Sequence, residues 1–116
     1  MSTQSPSFDG RTLQVEGAHV VSPAGELDLY SVAGVEAALA ARPGGCAVVV
    51  LDLRGVSFFD TSGIRLVLET MQDLGSRGVR FAIVRGGPDV QRLFALARME
   101  DRLPFFDALE EALAAT

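Results

Sequence analysis

Apolar and polar residues follow each other along the chain in patterns that predict five β-strands. Leu13 and Val15 alternate with polar neighbours, and residues 19–21 follow a turn at Glu16-Gly17-Ala18, which predicts a hairpin of two strands. The second strand contains Pro23, which cannot donate a hydrogen bond to a neighbouring strand. Further strands are predicted at residues 46–53, 79–84 and 103–106. The first of these three is almost continuously apolar, as expected for a central strand with both faces covered.

Four segments carry apolar residues at helical spacing. The first helix is predicted from residue 32 to about residue 42, capped by Ser31 and stopped by Pro43-Gly44-Gly45. The second follows Asp60-Thr61-Ser62-Gly63, the third opens at Pro88, and the fourth is capped by Asp107. The residues expected to face the core are Val35, Ala38 and Leu39; Ile64, Val67, Leu68, Met71 and Leu74; Val90, Leu93, Phe94 and Ala97; and Leu109, Ala112 and Leu113.

The order β-β-α-β-α-β-α-β-α predicts an α/β domain with a mixed sheet of four to five strands, covered by about four helices. Residues 1–10 are rich in Ser, Thr, Pro and Gly, so we expect them to form a flexible tail. Residues 11–116 then form a single domain, which is long enough for one hydrophobic core.

Composition and charge narrow the function classes. The net charge is −5 and no basic run is present, so we expect no nucleic-acid partner. No apolar run approaches the ~20 residues of a membrane helix, and the first ten residues do not have the pattern of a signal peptide. The lone Cys46 excludes an internal disulfide and a cysteine-based metal site. These features predict a cytoplasmic protein without membrane attachment.

Asp60-Thr61-Ser62-Gly63 places a carboxylate and two hydroxyls at the start of a helix. Free backbone N–H groups and the positive end of the helix dipole favour an anion there. A phosphate on one hydroxyl would add a charge of roughly −1.5 to −2. Asp, Thr and Ser are also ordinary helix caps, and the two interpretations are compatible. The segment is therefore a candidate switch.

Gly25-Glu26-Leu27-Asp28 ends a predicted strand just before a helix. It is either a turn with solvated carboxylates or a part of the same rim as Asp60. The second interpretation requires the two preceding strands to be parallel neighbours, because their carboxyl ends then open on one side. Two or three carboxylates there are compatible with Mg²⁺, but the sequence does not give the spacing of a metal site, and none is predicted.

Three other features have structural explanations. Gly86-Gly87-Pro88 lacks the lysine and the spacing of a P-loop, so we interpret it as a turn. His19 is interpreted as a strand-surface residue, because no nucleophile stands beside it. Of Phe58 and Phe59, one is expected in the core and the other at the surface. No catalytic set is recognisable, and no cofactor is predicted.

Taken together, these segments resemble the STAS domain of bacterial anti-sigma factor antagonists over most of residues 11–116. Gly25-Glu26-Leu27-Asp28 is similar to the family's Gly-Glu-Leu-Asp turn. Residues 51–53 and 56–63 resemble its strand and phosphorylation loop, and residues 90–94 and 106–113 resemble its closing helices. Where the family commonly has two serines between Asp and Gly, this chain has Thr61-Ser62. Where the family often continues with Gly-Leu-Gly, this chain has Gly63-Ile64-Arg65.

The resemblance implies a partner-switching protein and not an enzyme. Such an antagonist binds an anti-sigma factor with serine-kinase activity and thereby releases a sigma factor. Phosphorylation at the helix start ends binding, and a PP2C-type phosphatase restores it. The resemblance places the phosphate on Thr61, with Ser62 as the alternative, and Arg65 could pair with a phosphate, contact an acidic partner or be solvated. The partner-binding surface is predicted to comprise Glu26, Asp28, Phe59, Asp60, Ser62, Gly63 and Arg65.

STAS domains also occur as unphosphorylated scaffolds. The alternative function is therefore a constitutive adaptor, or a subunit of a transport or sensory complex. The hydroxyl pair beside Asp60 favours the phosphorylated antagonist.

Overall fold

The computed structural model describes residues 9–115, which contain six strands and four helices. The elements in chain order are β1 (Gly10–Val15), β2 (Ala18–Leu27), α1 (Val32–Ala40), β3 (Val48–Asp52), β4 (Gly55–Phe59), α2 (Thr61–Ser76), β5 (Arg80–Val84), α3 (Pro88–Leu96), β6 (Phe105–Phe106) and α4 (Leu109–Ala114). The predicted α/β class, the mixed sheet and the four helices are confirmed. Residues 1–8 of the predicted tail lie outside the described residues, and Gly10 opens β1.

The sheet contains one strand that the sequence analysis assigned to a loop, so it has six strands where four to five were predicted. Its order is β1-β2-β3-β5-β6, and the additional strand β4 pairs with β2. Only the β1–β2 hairpin is antiparallel, whereas β2–β3, β2–β4, β3–β5 and β5–β6 are parallel. The strand β4 leads directly into α2, so it determines where that helix begins.

The long strand β2 changes partner along its length. Its first half pairs with β3 up to the register Val21↔Leu51, and its second half pairs with β4 from Ala24↔Gly55. Pro23 lies in the gap between the two segments. The Ala24 N–H donates to Asp9 O on the β1 side at 2.8 Å. Because successive backbone nitrogens of a strand point to opposite sides, the Pro23 nitrogen faces the gap, and its missing N–H costs the sheet no hydrogen bond.

The main core lies between the sheet and the three helices α1, α2 and α3. Its buried residues include Val35 and Leu39 of α1, Leu66, Val67 and Leu74 of α2, and Val90 and Phe94 of α3. The opposite face of the sheet packs on α4 through Val20, Val50, Ala82, Val84 and Ala112. The prediction that Leu68 and Ala97 face the core was wrong, since both are exposed. In α2 the buried leucine near this position is Leu66, which was not among the predicted core residues, whereas Val67 and Leu74 are buried as predicted.

Two side-chain predictions are corrected by tertiary contacts. His19 is fully buried, not at the strand surface: its Nδ1 lies 2.8 Å from Gln14 Nε2, and its Nε2 lies 2.8 Å from Ala38 O. Because a carbonyl only accepts, Nε2 carries the proton and ties the hairpin to α1. Asp107 does not cap α4, whose N-cap is Ala108. Its carboxylate instead accepts from Arg85 Nε at 2.9 Å.

Candidate functional site

The start of α2 is capped by a carboxylate and not by a hydroxyl. Asp60 has extended backbone dihedral angles, and its Oδ1 accepts from Ser62 N at 2.9 Å. The Asp60 carbonyl accepts from Gly63 N at 3.0 Å, which closes the first turn. A side-chain cap of this kind satisfies one of the free N–H groups at a helix start. The hydroxyls of Thr61 and Ser62 are therefore not needed to begin the helix.

Thr61 is the more accessible of the two hydroxyl residues. It is exposed at the first helical position, whereas Ser62 is half-buried. Within residues 9–115 neither hydroxyl makes a side-chain hydrogen bond. Modification of Thr61 would thus break no hydrogen bond in this part of the chain.

The two phenylalanines of β4 divide between core and surface, as expected. Phe59, which was predicted to lie in the partner-binding surface, is buried and packs on Phe94 with ring centroids 5.0 Å apart. Phe58 is 49% exposed and is the aromatic ring that β4 presents to solvent. The difference follows from the pleat of the strand, which sends successive side chains to opposite faces.

The entry to β4 is fixed by a buried carboxylate. Asp52 accepts from Arg54 Nε and Nη2, both at 2.9 Å, from Arg54 N at 3.1 Å and from the Ser22 hydroxyl at 3.1 Å. Burial on its own raises the pKa of Asp52, but the hydrogen bonds and charge of Arg54, with Ser22, outweigh it and hold the pKa below its ordinary value. This cluster joins β2, β3 and the turn that leads into β4.

The ends of β2 and β4 bring the predicted carboxylates together. Leu27 is in register with Phe59 in the parallel pair, and Asp60 N donates to Leu27 O at 3.4 Å. Asp28 and Asp60 therefore follow adjacent strand ends, as parallel neighbours require. The strand beside the end of β2 is β4, whereas β3 pairs with the first half of β2.

The loop between β2 and α1 is held by its own polar side chains. Asp28 Oδ1 accepts from Tyr30 N (2.9 Å) and Ser31 N (3.1 Å), and Ser31 Oγ accepts from Asp28 N (2.9 Å) and donates to Glu26 O (2.7 Å). Ser31 occupies the N-cap position of α1 but makes no capping bond, so the predicted side-chain cap was wrong.

The same loop presents two apolar side chains to solvent. Leu29 is 68% exposed and Tyr30 is 92% exposed. Both stand directly after Asp28, at the same end of the sheet as Asp60. Large apolar groups that a bonded loop holds in water are typical of a contact surface.

A groove of about 410 Å³ lies between α1 and α2, beside the two hydroxyls. Its lining residues are Leu29, Val32, Glu36, Thr61, Ser62, Arg65, Leu66 and Glu69. The lining therefore combines apolar, hydroxyl and charged side chains. Thr61, Ser62 and Arg65 were predicted from the sequence, and the others were missed because the packing of α1 against α2 is not visible in local patterns.

The segment before α3 is held by a local hydrogen bond. In Gly86-Gly87-Pro88 the Gly86 N–H donates to Gln91 Oε1 at 2.8 Å and Gly87 precedes α3, so the segment is the turn that was expected.

Within residues 9–115 no cluster of three or more His, Cys, Asp or Glu side chains is arranged to hold a metal ion. No helix in that range is both long enough and apolar enough to cross a membrane.

Comparisons with known proteins agree on one family. A family model described as the STAS domain matches residues 11–112. The anti-sigma-F factor antagonist RsfB of Mycobacterium tuberculosis is 30% identical over 101 residues, or 84% of this chain and 80% of RsfB. An anti-sigma factor antagonist from Mycobacterium paratuberculosis has a TM-score of 0.78 at 27% identity, covering 97% of this chain and 96% of that one. The anti-sigma factor antagonist SpoIIAA in its unphosphorylated form has a TM-score of 0.72 at 26% identity, covering 90% and 92%.

Proposed function

The chain belongs to the STAS domain family, and on that premise we propose that it is an anti-sigma factor antagonist controlled by phosphorylation of Thr61. It acts by binding, as a regulator and not as an enzyme. Its partner is an anti-sigma factor with serine-kinase activity, which gives up a sigma factor when the antagonist binds. A PP2C-type phosphatase returns the phosphorylated chain to its binding form.

The position of the Thr61 side chain is the main support for this function. It is exposed at the first position of α2 and lines a groove whose rim holds the exposed Leu29. A kinase that modifies this hydroxyl has to contact the groove around it. The acceptor and the binding surface are therefore the same part of the molecule.

The contact surface that we propose comprises the ends of β2 and β4, the loop after β2 and the first turns of α2. Leu29, Tyr30 and Phe58 supply exposed apolar area, and buried apolar and aromatic side chains are the usual anchors of an interface. The carboxylates and hydroxyls around them form a polar rim. The predicted residues of this surface are Glu26, Asp28, Asp60, Thr61, Ser62, Gly63 and Arg65, with Phe59 supporting them from below.

Phosphorylation can end binding without unfolding the domain. The cap of α2 is the Asp60 carboxylate, so a phosphate on Thr61 leaves the capping hydrogen bond in place. The added charge of roughly −1.5 to −2 would stand beside Asp60 and Asp28. At an interface a phosphate loses water and, unless the bound protein supplies a cation for it, weakens binding strongly.

The proposal is tested by incubating the chain with its anti-sigma factor and ATP, followed by phosphopeptide mapping. Modification of Thr61 is expected in the parent, and it should be lost in Thr61→Val but retained in Ser62→Ala. Modification confined to Ser62 would move the acceptor by one residue. A stable complex without any modification would favour a constitutive adaptor and contradict the switch.

Two substitutions of Asp60 distinguish the role of its charge in binding from its role as the cap of α2. Asn caps helices as well as Asp does, so Asp60→Asn keeps the cap and removes the charge. Asp60→Ala removes both and should lower the free energy of unfolding by about 1 kcal/mol. If only Asp60→Ala changes partner affinity, the carboxylate acts through the helix start, and a direct contact of its charge with the kinase is ruled out.

A further inference from the structure

Arg65 lies in the groove as a guanidinium without a carboxylate partner in the described part of the chain. It lines the same cavity as Thr61, four residues before it, and as Glu69, four residues after it. The described ion pairs engage Arg42, Arg54, Arg77 and Arg85, and none of them involves Arg65. The side chain is exposed and free to take up a new anion.

Helix geometry favours Thr61 over Glu69 as the neighbour of the Arg65 side chain. Side chains four residues apart lie on one face of a helix, and each Cα–Cβ bond tilts toward the helix N-terminus. The Arg65 side chain therefore leaves the backbone on the side of position 61. An acid four residues before a base is the more favourable orientation of such a pair, and Arg65–Glu69 is the reverse order.

We propose that Arg65 is the internal counter-ion of a phosphate on Thr61, and that this pairing makes the guanidinium unavailable to an acidic group of the partner. This inference rests on the proposed function, because it takes Thr61 as the modified residue. Guanidinium groups pair with phosphate oxygens through two parallel hydrogen bonds, so Arg65 is chemically matched to the role.

The pairing gives phosphorylation a second effect on the groove. Glu36 and Glu69 line the same cavity, and Arg65 is its one basic lining residue among those described. When the guanidinium binds the phosphate, it is no longer available to an acidic group of the partner. The groove then presents two carboxylates and a phosphate, which repel such a group.

The test is a phosphorus NMR titration of protein carrying phosphothreonine at position 61, installed by genetic encoding. A nearby cation favours the doubly charged phosphate, so replacing Arg65 with Gln should raise the titration midpoint by about 0.15–0.4 pH units. Arg65→Lys should keep part of the effect. Arg92→Gln, at an exposed residue of α3, is the matched control and should leave the midpoint unchanged.

The outcomes separate this inference from the proposed function. The phosphate is installed without a kinase, so the midpoint reports the pairing even if no kinase modifies Thr61. The helix N-terminus is the same in all variants and contributes equally to each midpoint. Equal midpoints for the parent and Arg65→Gln would overturn the inference. A larger effect of Arg65→Gln on phosphoserine at position 62 than on phosphothreonine at position 61 would overturn its assignment to Thr61.

Discussion

Gly63 lies directly against the ring of Phe59. A Cβ atom at position 63 would stand 2.5 Å from Phe59 Cε1 and 2.6 Å from Cζ, inside any normal contact distance. The close approach lets the first turn of α2 rest on the last residue of β4. Because Phe59 also packs on Phe94, the strand end, α2 and α3 are fixed together just below Asp60 and Thr61.

Gly63→Ala should therefore destabilise the domain. Forcing an extra carbon into a filled core costs about 1–3 kcal/mol, and we expect a decrease of that size in the free energy of unfolding in urea. Gly75→Ala is the matched control, because Gly75 lies in the same helix with nothing within 4 Å of the added carbon. It should raise stability by up to about 1 kcal/mol through helix propensity. Equal effects of the two substitutions would contradict the packing described.

Substitution of Phe59 should change the stability of the domain, and substitution of Phe58 should change its affinity for the partner. Phe59→Ala removes a buried ring and should lower the free energy of unfolding by about 3–5 kcal/mol. Phe58→Ala changes an exposed ring, so its unfolding should stay within about 0.5 kcal/mol of the parent. Loss of an interface anchor can cost ~2 kcal/mol or more, and we expect Phe58→Ala to weaken calorimetric binding of the anti-sigma factor by that amount. Unchanged affinity would remove Phe58 from the contact surface.

Local patterns predicted most of the fold and missed one strand for a physical reason. The elements with long apolar runs or helical spacing, such as the central strand and α2, are determined mainly by their own residues. Gly55–Phe59 has five residues between Arg54 and Asp60, too few for a clear alternation. Its pairing depends on the second half of β2, where the register shifts between Gly25 and Glu26. Such a non-local partner leaves no signal in the segment itself.

The residues of the candidate site were also predicted only in part. Asp60, Thr61 and Ser62 are visible because a helix start has its own sequence pattern. Leu29 and Glu36 were missed, since their position depends on how α1 packs beside α2. For Leu29 the one local signal in the sequence was its place in an apolar pair, Leu29-Tyr30, within a predicted loop.

Arg54 should control how stability responds to acid. The pKa of Asp52 is lowered in the folded chain, so the unfolded chain binds more protons in acid. The stabilisation is then complete above the ordinary carboxyl pKa and is lost as the pH falls from about 5 through the folded value. Arg54→Gln removes the charge and the guanidinium hydrogen bonds, so only the backbone N–H of residue 54 and the Ser22 hydroxyl still oppose the effect of burial on Asp52. It should cost about 1–3 kcal/mol of unfolding free energy at pH 7 and progressively less below about pH 4.

Urea unfolding between pH 3 and pH 7 measures this difference. Asp52→Asn is the control, because it removes the titrating group and should flatten the same part of the profile. A difference between the parent and Arg54→Gln that stays constant over the whole range would show that Arg54 acts without the carboxylate.

The central claim is that negative charge at position 61 switches partner binding and leaves the fold intact. Calorimetric titration of the anti-sigma factor with Thr61→Glu and with its isosteric control Thr61→Gln tests this most directly. We expect native-like circular dichroism for both variants, near-parental affinity for Gln, and an affinity at least about tenfold weaker for Glu, or ~1.4 kcal/mol. Binding of Thr61→Glu as tight as that of Thr61→Gln would contradict it.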